Sequence, residues 1–362
     1  MSNDASKALT DSIQQHAEQE KPVRIVGGNS KSFLGLQHDS GEANSVLSML
    51  DHNGIVNYEP TELVVTVRSG TYIHDLVNIL KESGQQLPFE PPQFANATVG
   101  GTVACGLSGP ARPYTGSIRD HLLGARVING KGEDLRFGGE VMKNVAGYDV
   151  SRLQAGAYGT LGVVLDVSFK VLPAPETTLT IAFEQLAHDT QPMVQLARQF
   201  MPVTGAALIG TSRLIRLAGS DASVQSAAKQ LGGELIEDSE LWTSLRDLSH
   251  KFFQDERPTW RFSVPDFLPE LDIPNDADGT PATVLYDWGG AQRWVKTGVD
   301  ARTLFDVALQ AGGHATRFSA IVGEPSHQPL DGISARVQRE LRTSFDPQRL
   351  FNRGRFHPEL DA

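Results

Sequence analysis

Cysteine is almost missing from this chain: Cys105 is the one thiol in 362 residues. A lone thiol closes no internal disulfide, and an iron–sulfur cluster needs several thiolates, so this polypeptide alone builds neither. Cys105 itself reads as a small packed residue. Long apolar runs are missing too, which excludes direct membrane insertion, and the polar N-terminus "MSNDASKALTDSIQQHAEQE" lacks the basic flank and apolar core of a secretory signal. The expected location is cytoplasmic. Positive charge is scarce, with 32 Lys and Arg against 43 Asp and Glu and a net charge of -11. That balance argues against nucleic acid or an anionic membrane as the main partner, so an anionic substrate must meet local arginines. The ten histidines fall at no HxH, HxxxH or HExxH spacing, and no metal site is expected. There is no Walker A loop, and no GxGxxG follows a first strand, which removes most of the weight from ATPase and nicotinamide readings.

Glycine, by contrast, is plentiful and unevenly placed. The apolar strand "VRIV" empties into "GGNSKS"; "TVGGTVACGLSGP" opens a helical turn with paired glycines, where backbone amides are unsatisfied and attract an anion; "KNVAGYDVSRLQAGAYGTLGVV" runs from Lys143 into a β-branched stretch. For the last of these, two readings stay open. Gly156, Gly159 and Gly162 serve either as a tight turn between a short helix at Val150–Ala155 and a strand at Val163–Leu172, or as bare backbone against a ligand. Three such turns before Pro173 favour a long ligand carrying phosphates over three unrelated turns.

Elsewhere the pattern is mixed. Helices are expected at Lys7–Gln19, Tyr72–Ser83, Pro192–Phe200, Asp221–Leu231 and Ala301–Ala311. Strands are expected at "LVVTVRSG", "TLTIAFEQ", "RLIRLAG", "WRFSVPD" and "VLYDWGG", and a hairpin turned by "NGKG". A last helix, "DGISARVQRELRTSF", sets Ile333, Val337 and Leu341 on one face, which is expected to dock on a core. The fold class is α+β.

A long collinear series of motifs gives the pattern a family. "VRIVGGNSKSFLG", "YEPTELV", "TVGGTVACGLSGPARPYTGSIRDHLLG", "FGGEVMKNVAGYDVSRL", "DWGGAQRW" and "GGHATRFSA" resemble the PCMH-type flavoproteins of the vanillyl-alcohol oxidase superfamily, and within them the FAD-binding subunits of bacterial glycolate oxidase (glycolate dehydrogenase). The resemblance implies an N-terminal helix (1–20), a two-part PCMH-type FAD-binding domain (21–175), an α+β cap domain (176–330), and a C-terminal helix and tail (331–362) returning to the flavin domain. It implies FAD held by the first loop (Gly27, Gly28, Asn29, Ser30, Lys31) and by Thr98, Gly100 and Gly101 at the diphosphate. Consecutive backbone N–H groups in the first loop would make a nest for that anion. Gly106 and Ser108 would line the isoalloxazine edge, Ser117 and Asp120 match the "GSxRD" contacts, and Gly162 and Val163 run beside the adenosine and ribityl parts. Lys143, Asn144, Tyr148 and Asp149 are weaker candidates, and Asp149 also suits a helix cap. Relatives that attach FAD covalently carry a histidine where this chain has Asn29, so noncovalent FAD is expected. In "FNRGR", Asn352 carries over from "FNPGR", while Arg353 replaces the proline.

The implied chemistry is oxidation of glycolate or a similar small 2-hydroxy acid, in which a carboxylate must be bound and a hydroxyl proton accepted. Arg317 and His314 are the substrate-side candidates. Lying three apart on a strand, they point to opposite faces. Trp288 reads as a core or interface residue. The chain lacks the "EHG" element and clustered histidines of stand-alone 2-hydroxy-acid dehydrogenases, which moves catalysis on glycolate toward a homologous partner FAD subunit, with an iron–sulfur subunit as electron acceptor and inner-membrane contact through those partners. Two alternatives remain: a stand-alone FAD-dependent dehydrogenase of the D-lactate type, and a non-catalytic FAD-fold scaffold or electron relay.

Overall fold

The computed structural model describes residues 2–35, 45–139, 149–184, 190–197, 199–237, 240–321, 323–324 and 326–361. They form two compact units. The first comprises Met1–Leu107, Ser117–Pro173 and Ala320–Ala362; the second comprises Ser108–Gly116 and Ala174–Ser319. Two boundaries differ from those drawn on the sequence: Ser108–Gly116 joins the second unit, and 320–330 lies in the first.

The first unit holds a five-stranded antiparallel sheet in the order Ile55–Glu59, Val64–Arg68, Val163–Lys170, Leu122–Ile128, Asp134–Gly138. Its central strand is buried along nearly its whole length, which explains the continuous apolar run after Gly162. One core gathers Leu76 and Leu80 of the Ile73–Glu82 helix, Val99 and Val103 of the Val99–Cys105 helix, and Phe89 around Val65, Val67 and Val167. A second core joins Leu9 and Ile13 of the Ser6–Glu18 helix to Val163, Leu165, Leu350 and Phe351, so both ends of the chain pack on the same sheet. A separate parallel pair, Val23–Val26 with Ser45–Ser48, is extended by the tail: Val23 N–H donates to the Leu350 carbonyl at 2.8 Å and Asn352 N–H to the Val23 carbonyl at 3.1 Å.

The second unit is an eight-stranded antiparallel sheet in the order Glu234–Ile236, Thr177–Glu184, Ser212–Gly219, Val203–Ile209, Thr283–Asp287, Gln292–Lys296, Thr259–Ser263, His314–Arg317. Its two faces differ in chemistry. Ile181, Ala206, Ile215, Trp260, Phe262, Val295 and Ala315 cover one face and pack on the Gln191–Ala197, Asp221–Leu231 and Ala301–Gln310 helices. The alternate positions, among them Arg261, Ser263, Gln292, Lys296, His314 and Thr316, put polar side chains on the other face.

The last helix, Gly332–Phe345, corrects the expectation of an apolar docking face. Ile333 and Val337 are 72% and 53% exposed, while the buried positions are Ala335 and Arg342. Arg342 donates to the Phe351 carbonyl at 2.9 Å and pairs with Asp361, and Asp346 accepts from the N–H groups of Leu350 and Phe351 at 2.8 and 2.9 Å. Polar groups, not the apolar stripe, fasten this helix to the tail. Arg342→Met, which strands Asp361 and the Phe351 carbonyl, is expected to cost about 3 kcal/mol in a urea melt. Ile333→Ala should stay within about 0.5 kcal/mol, and a larger loss there would restore the apolar face.

Candidate functional site

A cleft in the first unit is framed by the loop after the Val23–Val26 strand, the start of the Val99–Cys105 helix, the turn at Tyr158–Gly162 and the tail residues Asn352 and Arg355. Counting open solvent at its mouth, it spans about 810 Å³. Gly27, Gly28, Asn29, Ser30, Lys31, Thr98, Gly100, Gly101, Gly162 and Asn352, all singled out from the sequence, line it together.

The glycines earn their place by packing. A Cβ on Gly28 would sit 1.6 Å from the Asn96 carbonyl oxygen, and one on Gly27 would sit 2.2 Å from Thr98 Oγ1. The first loop therefore lies backbone against backbone on the loop that leads into the helix, closer than any side chain allows. With its Cα edge occupied in this way, the loop leaves its amides unused. The N–H groups of Gly28, Asn29, Ser30 and Lys31 donate no hydrogen bond to any described residue. Four consecutive unpaired donors in one cleft form an anion nest. Asn29 takes the left-handed conformation, φ 54°, that curls them.

Side chains add to the same demand. Lys31 is 5% exposed, its ammonium 3.5 Å from Ser30 Oγ and 5.7 Å above the Phe94 ring. Burial pulls that ammonium below its usual value. Ser69, at the end of the Val64–Arg68 strand, is 1% exposed with a hydroxyl that has no hydrogen-bond partner. Arg355 donates to the Lys31 carbonyl at 3.0 Å, and burial lowers its guanidinium as well. Cys105 also lines the cleft, and burial raises its thiol, opposed by the Lys31 and Arg355 cations. A phosphate-bearing ligand satisfies the nest, the cations and the hydroxyl at once, so these residues fit FAD. Sequence reading missed Ser69 and Arg355. The second had a signal, since the "FNPGR" pattern ends in a basic residue.

Other sequence candidates lie apart from this lining. Gly106 closes the Val99–Cys105 helix, donating to the Thr102 and Val103 carbonyls, both at 3.0 Å. Ser108 belongs to the second unit. Ser117 donates through N–H and Oγ to the Asp120 carboxylate at 2.8 and 2.7 Å, starting the Ile118–His121 helix and holding Asp120 below the usual carboxylate range. Val163 is fully buried in the core. Asp149 accepts from Ser151 Oγ at 2.7 Å and from Arg152 N–H at 3.4 Å, just before the Ser151–Gln154 turn, whose cap position is Val150. Lys143, Asn144 and Tyr148 fall outside the described residues. Asn352 uses both ends of its amide within the protein: Oδ1 accepts from Ile25 N–H at 2.8 Å and Nδ2 donates to the Tyr158 carbonyl at 2.7 Å.

In the second unit, register separates the two substrate-side candidates. Arg317 pairs with Trp260 on the helix-covered face, is 1% exposed, lies 5.8 Å from the Trp260 ring and donates to the Ser319 carbonyl at 3.2 Å. His314 shares the polar face with Arg261, whose guanidinium stacks 4.8 Å from Phe318. His314 is exposed at the start of its strand; the protein packed around its ring, then the Arg261 and Arg112 cations, lower its imidazole below the usual value. Arg112 lies 4.3 Å over Trp288, whose indole donates to the Gly109 carbonyl at 3.0 Å. Among the described residues no cluster of His, Cys, Asp or Glu has the makings of a metal site.

Fold and cleft together define a flavoprotein. Residues 5–138 match the family model described as FAD binding domain. Alkyldihydroxyacetonephosphate synthase shares the fold, with a TM-score of 0.68 and 15% identity over 95% of this chain and 74% of that one. Glycolate oxidase subunit GlcE of Escherichia coli (strain K12) is 43% identical over 359 residues, 99% of each chain. Glycolate oxidase subunit GlcD of Bacillus subtilis (strain 168) is 31% identical over 166 residues, 45% of this chain and 35% of that one. The chain belongs to the glycolate oxidase subunit GlcE family, and its cofactor is FAD.

Two substitutions separate packing from ligand contact. Gly28→Ala meets the Asn96 backbone, so apo stability and FAD affinity should fall together. Ser69→Ala removes a buried hydroxyl without a partner, so the apo protein should be as stable or about 1 kcal/mol more stable, while FAD affinity falls. Thermal melts and flavin-fluorescence titrations read both, and a less stable Ser69→Ala apo protein would show that the hydroxyl serves the fold.

Proposed function

We propose that the chain is the FAD-carrying subunit of a multi-subunit complex that oxidises glycolate to glyoxylate. The observation that carries this reading is full-length similarity to a glycolate oxidase subunit in a chain whose cleft holds an unpaired amide nest beside the buried Lys31 and the half-buried Arg355. FAD, when bound, supplies the two-electron acceptor. Gly28–Lys31, Ser69 and Arg355 hold it, without a covalent bond to the first loop, where Asn29 stands. The single cysteine leaves onward electron transfer to partners: a homologous FAD subunit and an iron–sulfur subunit, through which the chain reaches the inner membrane. No described helix is long and apolar enough to cross a membrane.

On the substrate side, the polar sheet face supports Arg261 as the carboxylate contact and His314 as the proton acceptor. Arg317 is packed against Trp260 on the opposite face, which favours a structural role for it. A guanidinium suits a planar carboxylate, and Arg261 stands on the same sheet face as His314. A lowered His314 pKa leaves the imidazole neutral, and able to take the hydroxyl proton, at neutral pH.

Co-expression with both partner subunits should give a complex that reduces an artificial acceptor with glycolate, with flavin released on acid precipitation, while the chain alone turns over poorly. Full activity of the isolated chain would overturn the partner requirement. In the complex, Arg261→Met should lower glycolate kcat/KM by about tenfold or more at unchanged flavin content. Removing that cation relieves the pressure on His314, so the acid limb of the pH profile should move upward. An unchanged profile and rate would transfer substrate binding to a partner.

A further inference from the structure

Lys31 and Arg355 come from opposite ends of the chain, 324 positions apart, and line one cleft. Neither meets a carboxylate among the described residues. The ammonium has one hydrogen bond, at 3.5 Å to Ser30 Oγ, and the guanidinium has one, at 3.0 Å to the Lys31 carbonyl. The ionisable groups that bear on them are the Cys105 thiol, the Tyr158 phenol and a third cation, Arg24. Taking a cation out of water is costly unless an anion joins it, and Lys31 is buried and Arg355 half-buried. Beside them lies the partnerless hydroxyl of Ser69, 1% exposed, and the four unused amides of the first loop.

We infer that Lys31 and Arg355, with Ser69, clamp the diphosphate of FAD from two sides, so that Arg355 makes the C-terminal tail a wall of the cofactor site. The inference rests on the FAD reading and adds to it a linkage between cofactor and tail. Three fastenings hold the tail already: the Val23 pairing, the Asn352 amide between Ile25 and Tyr158, and the contact of the Arg355 carbonyl with Gly35, where a Cβ would come within 2.1 Å. Against them stands the cost of taking each cation out of water without a carboxylate. A bound diphosphate offsets that cost with two charge-assisted contacts, so cofactor binding and tail docking reinforce each other by the same free energy.

The test uses the full chain stripped of flavin. Arg355→Met should weaken FAD binding by about tenfold to hundredfold in a fluorescence titration, and Arg355→Lys should recover most of the loss. The bound-FAD phosphorus resonances should differ between parent and Arg355→Met, and FAD should slow amide hydrogen exchange across 350–356 in the parent far more than in that variant. FAD affinity and phosphorus shifts unchanged in Arg355→Met would overturn the clamp. So would equal losses in the Met and Lys variants, which would mark a shape requirement unrelated to charge. A parent chain that takes up no FAD would refute the cofactor reading itself, a separate outcome.

Discussion

Two loops of the first unit lie closer together than a methyl group permits, and the cleft follows from that contact. Gly27 and Gly28 press their Cα edges on Asn96 and Thr98. The four N–H groups of that loop, which lines the cleft, donate to no described residue. Burying the Lys31 ammonium without a carboxylate costs free energy. The apo protein tolerates this cost because the rest of the unit is well packed on both faces of its central strand. Binding energy for an anion is thus stored in the fold before the ligand arrives.

The second unit solves a different problem with the same alternation that governs any strand. Its helix-covered face carries Arg213, Arg293 and Arg317 among apolar side chains. Arg293 is spent on the carbonyls of Leu268, Pro269 and Gly290, and Arg317 rests on Trp260. The opposite face keeps its cations stacked on rings and its histidine short of protons at neutral pH, a setting suited to a small anionic substrate. Loss of one residue of register would exchange the two faces, which is why His314 and Arg317 cannot share a role.

Much of this was legible in the sequence. The expected strands formed because β-branched runs between turns have few alternatives, and the collinear glycine motifs identified the flavin fold. The reason for the glycines was not legible. Sequence suggested bare backbone toward a ligand, whereas Gly28 is required by Asn96, a neighbour 68 positions away. The docking face of the last helix was misread because the apolar spacing of Ile333 and Val337 is a stronger signal in one dimension than a buried Arg342 paired with Asp361 across a turn. Ser69 and Arg355 were missed for a related reason: a strand-end serine and a tail arginine look ordinary until the fold shows, among the described residues, a Ser69 hydroxyl with no hydrogen-bond partner and an Arg355 guanidinium with no carboxylate.

The central claim is that the first loop's amides hold the cofactor. Titrating FAD into the deuterated chain while following backbone amide resonances tests it most directly. The amides of Gly28, Asn29, Ser30 and Lys31 should shift downfield together and saturate at one FAD per chain, as donors do on meeting phosphate oxygens. Stoichiometric FAD binding that leaves those four resonances in place would contradict the account.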